Sequence, residues 1–260
     1  MTIPTIPLKK LIMPLSIALV ATAGYFGGYQ AAKSKITPIK GGYFAIAPEE
    51  FMNIYDSSLL VDRSYTLEEK CRDSTEVKAF GSGVLLRDSQ TGDEYILTAE
   101  HMTPYSPGEY YPCKEEHKGT KSEKKIKVLE SNLTVKGLPA RVVKRDEKID
   151  QALLKIEGKI DSRLSYQGKI ARQVQIGDYV MGAGFPNGKH PYSIANVIAI
   201  KKDMTLLNIK IIGGNSGGGF YRFGDRGLEL VGTVMGETSI TPLEKMRELI
   251  KGTPLEDEYL

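Results

Sequence analysis

Between roughly residues 76 and 240 the chain is a succession of short apolar runs. Each run ends within a few positions at turn-forming residues, and no segment of helix-length periodicity lies between them. Gly83-Val84-Leu85-Leu86 is followed by the turn-rich 88–93, then by Tyr95-Ile96-Leu97-Thr98. Further strand-like runs cover 125–129, 138–143, 152–156, 179–182, 193–200, 206–212 and 229–234. Parallel strands need long crossovers, usually helices, and there is no room for them here. The pattern therefore excludes a parallel α/β sheet and predicts an all-β body of antiparallel barrels or a sandwich.

Composition agrees with a folded chain. Apolar residues make up 41% and charged residues 26%, which excludes wholesale disorder. Lys plus Arg is 35 against 32 for Asp plus Glu, a net charge of +3, so no basic excess points to nucleic acid. Gly is high at 27, consistent with many turns.

The N-terminus carries a second signal. Residues 11–29 hold no charge and follow Lys9 and Lys10, after a basic start over 1–10. A run of about 20 apolar residues is long enough to span a bilayer. It also fits a signal peptide, with Ala21-Thr22-Ala23 as a cleavage site. Both readings place the body outside the cytoplasm, either membrane-anchored through 11–29 or secreted after cleavage near Ala23. Residues 30–42 read as a polar linker and 43–78 as an N-terminal extension. At the other end, Leu243, Met246, Leu249 and Ile250 recur at helical spacing after Pro242. They predict a C-terminal helix in 241–260, with Glu256, Asp257 and Glu258 as a solvated acidic tail.

Three segments carry reactive groups. Gly213-Gly214-Asn215-Ser216-Gly217-Gly218-Gly219 can turn tightly, expose a hydroxyl and aim the N–H groups of Gly214 and Ser216 at one point. His101 follows the apolar run Ile96-Leu97-Thr98-Ala99, at a strand end where a neutral imidazole can take a proton. Asp150 stands where a charged loop meets the apolar run 152–156, a place suited to holding a histidine in one tautomer. Each has a plainer explanation in isolation: a flexible glycine loop, a surface histidine, a turn-forming aspartate.

Together they carry a resemblance. ILTAEHM, KIDQALLKI and GGNSGGG are similar to the three catalytic blocks of the trypsin-like (chymotrypsin-fold) serine peptidases. GSGVLL at 81–86 and GDYVMGAGFPNG at 177–188 resemble two further blocks of the HtrA-type bacterial branch. The resemblance implies two antiparallel six-stranded β-barrels: 79–165 with His101 and Asp150, and 166–240 with Ser216. It implies Ser216 as nucleophile, His101 as general base, Asp150 as its orienter, and Gly214 and Ser216 as the oxyanion hole. The partners are polypeptide substrates, and the chemistry calls for no cofactor and no metal. Two departures stand out. Gly219 replaces the family's usual proline, and the PDZ module common in HtrA-type proteins is expected to be missing. A catalytically silent protease-fold scaffold at the membrane is the alternative function.

The stretch before Ser216 and the 233–237 region should wall the specificity pocket. Lys210, Val234, Met235 and Gly236 are the candidate residues; Lys210 would favour an acidic side chain if it points inward, and Met235 a small or medium apolar one. Export favours a disulfide between Cys71 and Cys113, with free thiols or a metal site through Cys113 and His117 as alternatives. The loop 103–123 reads as a surface insertion beside the cleft.

Overall fold

The computed structural model describes residues 38–39, 43–44, 48–71, 74–117, 120–160, 165–166, 168–185, 192–224 and 227–260. The expectations for 1–29 and most of 30–47 lie outside the described residues. No helix among the described residues is long and apolar enough to cross a membrane.

Two short strands, β1 (Pro38–Ile39) and β2 (Tyr43–Phe44), pair with each other ahead of helix α1 (Pro48–Ser57). The first sheet comprises β3 (Ser58–Cys71), β4 (Ser74–Arg87), β5 (Glu94–Thr98), β6 (Tyr110–His117), β7 (Thr120–Val135), β8 (Leu138–Asp146) and β9 (Gln151–Ile156). Its order is β3-β4-β5-β9-β8-β7, and β3 pairs back onto β7, so six antiparallel strands close a barrel. Strand β6 is added outside, on β7.

The second sheet comprises β10 (Lys169–Ile170), β11 (Tyr179–Ala183), β12 (Tyr192–Ile200), β13 (Thr205–Leu207), β14 (Gly219–Gly224), β15 (Gly227–Gly236) and β16 (Ser239–Ile240). It closes the same way, β15-β14-β11-β12-β13-β16 and back to β15, with β10 added in parallel. Helices α2 (Leu243–Ile250) and α3 (Glu256–Tyr259) end the chain. Two closed six-stranded antiparallel barrels with a C-terminal helix are the arrangement of a chymotrypsin-like fold.

Strand periodicity explains why the first barrel faces its partner so closely. In a strand, neighbouring side chains point to opposite faces. Leu85, Ile96, Ala152 and Leu154 fill the first barrel. Their neighbours Val84, Leu86, Leu97 and Leu153 share one core with the second barrel and the C-terminal helices. Both faces are buried in residues 81–86 of β4, in β5 and in nearly all of β9, so their Val, Leu and Ile residues read as apolar runs.

Two expectations are corrected at this level. The span 43–78 is not a separate extension before the barrel, because β3 and the start of β4 lie within it. The run 206–212 is not one strand: β13 ends at Leu207, where Asn208 turns to bond Asn196 across the sheet. The acidic tail keeps Glu256, Asp257 and Glu258 at the surface but is anchored by its neighbours. Tyr259 and Leu255 are buried, and the Tyr259 hydroxyl accepts the Arg87 N–H at 2.9 Å.

The 103–123 region carries β6 and the start of β7, with β6 paired on the outside of the first barrel. Cys71 and Cys113 form a disulfide there, beside a small core of Tyr65, Leu67, Ile126 and Val128, so neither thiol is free for a metal. The bridge joins positions 42 residues apart. Restricting a loop of that length in the unfolded chain is worth about 2–4 kcal/mol. The double replacement Cys71→Ser, Cys113→Ser is expected to lose that much in urea titration, with the barrels still formed. An unchanged midpoint would show that the bridge does not stabilise the fold.

Candidate active site

His101 sits on a single 3-10 turn, Glu100–Met102, directly after β5. The turn is pinned from two sides. Met102 is buried in the first barrel, and Arg63 of β3 donates through Nη1 to the carbonyl oxygens of His101 and Thr103. The imidazole itself is left about half exposed.

Asp150 caps the 3-10 turn Glu147–Ile149, with φ 50° and ψ 54°. A left-handed conformation is uncommon outside glycine, and aspartate tolerates it better than most residues. The kink turns the loop into β9 and brings the carboxylate under His101. Its Oδ1 accepts the His101 backbone N–H at 2.8 Å, and Oδ2 lies 2.8 Å from Nδ1. A carboxylate accepts only, so Nδ1 carries the proton and Nε2 presents its lone pair. Nearby, burial pushes the Glu100 carboxyl above its ordinary range, and Glu147 and Asp150 add to the rise.

Ser216 reaches this place from the other barrel. Asn215 N–H bonds to Ile212 O at 3.3 Å, closing a turn in which Gly214 takes φ 93°. That conformation at the third position is the glycine-requiring geometry of a type II turn. Among the described residues, the N–H groups of Gly214 and Ser216 make no hydrogen bond within the chain, which leaves both donors open.

The loop then docks on the first barrel. Ser82 N–H bonds to Ser216 O at 2.7 Å. Gly217, at φ 82°, lies so close to Ser82, Thr98 and Ala99 that a Cβ there would sit 2.7 Å from Ala99 N. Ala99 is two residues before His101, so the serine loop and the histidine turn share one wall. Among the described residues, no hydrogen bond joins His101 Nε2 to the Ser216 hydroxyl, a contact that often tightens only with substrate.

The pocket candidates separate. Val234 is buried and holds the serine loop from behind, accepting from Gly217 N–H at 2.8 Å and donating to Gly218 O at 2.9 Å. Met235 and Gly236 follow, half-buried. Lys210 stands in solvent, 3.6 Å from Glu237, and does not point inward. A cleft of about 440 Å³ lies against His101, walled also by Arg63, Glu100, Tyr105, Tyr110, Arg145 and Glu147.

Gly219 has a local reason. The Tyr221 ring lies over it, and a Cβ would collide with that ring. The residues that sequence reasoning missed are Arg63, Thr98 and Ser82. Only Ser82 carried a signal, its flanking glycines in GSGVLL.

The two-barrel, chymotrypsin-like fold is consistent with a protease-fold protein. No family model and no curated protein matches the chain.

Proposed function

We propose that the chain is a serine endopeptidase of the trypsin-like, HtrA-type kind, acting through an acyl-enzyme. One observation carries the reading: His101 is held by Asp150 through Nδ1, with Nε2 free, on the wall against which the Ser216 loop packs. In the reaction, Nε2 takes the Ser216 proton as the hydroxyl attacks a peptide carbonyl. The carbonyl oxygen becomes an oxyanion, met by the open N–H groups of Gly214 and Ser216. His101 returns the proton to the leaving amine. Water then repeats the sequence to release the acid. Asp150 keeps the imidazole in the useful tautomer and stabilises it when charged.

The polypeptide substrate lies along the seam between the barrels. The cleft beside His101 mixes carboxylates with guanidinium groups and exposed tyrosine, which suits a polar rather than aliphatic substrate side chain. The body works outside the cytoplasm, tethered by residues 11–29 or released after cleavage near Ala23. The disulfide supports that placement, because such bonds persist in oxidising compartments.

A fluorophosphonate probe tests the reading. The wild-type protein should label and Ser216→Ala should not, with both equally folded. If the wild type stays unlabelled over a range of pH and concentration, the silent scaffold is the better account.

A further inference from the structure

Ser82 is fully buried on β4, a strand of the first barrel, yet its polar atoms serve the second. Its hydroxyl donates to Gly214 O at 2.7 Å and accepts the Phe185 N–H at 2.7 Å. Its backbone N–H donates to Ser216 O, and its carbonyl accepts the Thr98 hydroxyl at 2.6 Å. One residue therefore touches both ends of the Gly214–Ser216 segment, the turn after β11, and the strand that leads to His101.

We infer that the Ser82 hydroxyl is a positioning group: it holds the Gly214–Asn215 peptide across the barrel seam and so aims the Gly214 and Ser216 N–H donors. The inference rests on the peptidase reading above and names the residue that orders its oxyanion site. The physics is one of local control. Gly214 lacks a Cβ and takes a left-handed φ, so sterics alone restrain its peptide weakly. A buried hydroxyl that both donates and accepts fixes that peptide from outside. Neither an alanine methyl nor a backbone group of β4 can replace it, because the Ser82 N–H is already committed to Ser216. Asn215 adds a second restraint, since its Oδ1 lies where Gly184 leaves room for it. A Cβ at Gly184 would also sit 2.8 Å from the Ser82 hydroxyl, so that glycine makes space for the whole arrangement.

The test is saturation labelling of the full chain by a fluorophosphonate, which separates the binding constant from the first-order step. Misplacing a donor by about 1 Å costs on the order of 10²-fold. In Ser82→Ala the first-order step should therefore fall about 10- to 100-fold per folded molecule, with the binding constant unchanged. Ser82→Thr, which keeps the hydroxyl, should recover most of the rate. Should Ser82→Ala not fold, Ser82→Gly removes the same hydroxyl with less bulk and carries the same expectation. Equal first-order rates in wild type and a folded hydroxyl-free variant would overturn the inference, as would a folded Ser82→Thr as slow as Ser82→Ala. An unlabelled wild type would remove the peptidase reading and this role together, and the wild-type lane alone tells that result from the other two.

Discussion

Asp150→Asn is expected to lower turnover by about 10⁴-fold, the scale of an aspartate-to-asparagine change in a Ser-His-Asp triad. The reason lies in two bonds to one carboxylate. Asp150 accepts from the His101 backbone N–H and from Nδ1. An asparagine would keep its carbonyl on the backbone N–H and turn its NH₂ toward Nδ1. The ring would then carry its proton on Nε2 and lose the lone pair that must take the Ser216 proton. Volume and fold would barely change, so melting should stay near wild type. Steady-state cleavage of any peptide that the wild type cuts is the measurement. The loss should shrink at high pH, where hydroxide can assist serine ionisation. A turnover within a few-fold of wild type would mean that Asp150 only braces the turn.

Alanine at position 217 is the second large effect, and it acts on both stability and activity. Gly217 has φ 82°, which costs an L-residue about 1–2 kcal/mol. The added methyl would also meet Ser82 O, Thr98 Oγ1 and Ala99 N inside their contact limits. Two of these are backbone atoms of buried residues and cannot swing away. Overpacking of this kind adds about 1–3 kcal/mol. The loop can relieve the clash only by lifting off the first barrel, which carries Ser216 away from His101. Gly217→Ala should therefore lower the unfolding free energy by about 2–5 kcal/mol and remove labelling from the fraction that still folds. Full labelling with an unchanged melting point would show that the seam is looser than these contacts require.

The strands were legible where both of their faces are buried. Val84-Leu85-Leu86 and Ala152-Leu153-Leu154 read as strands because one side fills a barrel and the other fills the seam. Strand β3 was hidden for the opposite reason. Its residues from Asp62 to Ser64 are only half-buried, and its far end leaves the barrel to become a charged hairpin arm. Strand β14 begins at Gly219 and ends at Gly224, and glycine gives no strand signal; at each the space of a Cβ is filled by a neighbouring side chain, Tyr221 or Glu229.

At the candidate site, His101, Asp150 and Ser216 were visible because reactive groups sat in distinctive surroundings. Ser82 showed only its flanking glycines, since its contacts are with partners more than a hundred residues away. Lys210 shows the limit from the other side. A charged residue near a cleft gives no sign of its direction, and here it turns to Glu237 in solvent.

The central claim is that Ser216 is the nucleophile, activated by His101. Mass spectrometry of the fluorophosphonate-treated chain, digested and sequenced, tests it most directly. The account predicts a single phosphonyl adduct on the peptide bearing Ser216, absent when His101 is replaced by alanine. An adduct on another residue, or one that forms equally fast without the imidazole, would contradict it.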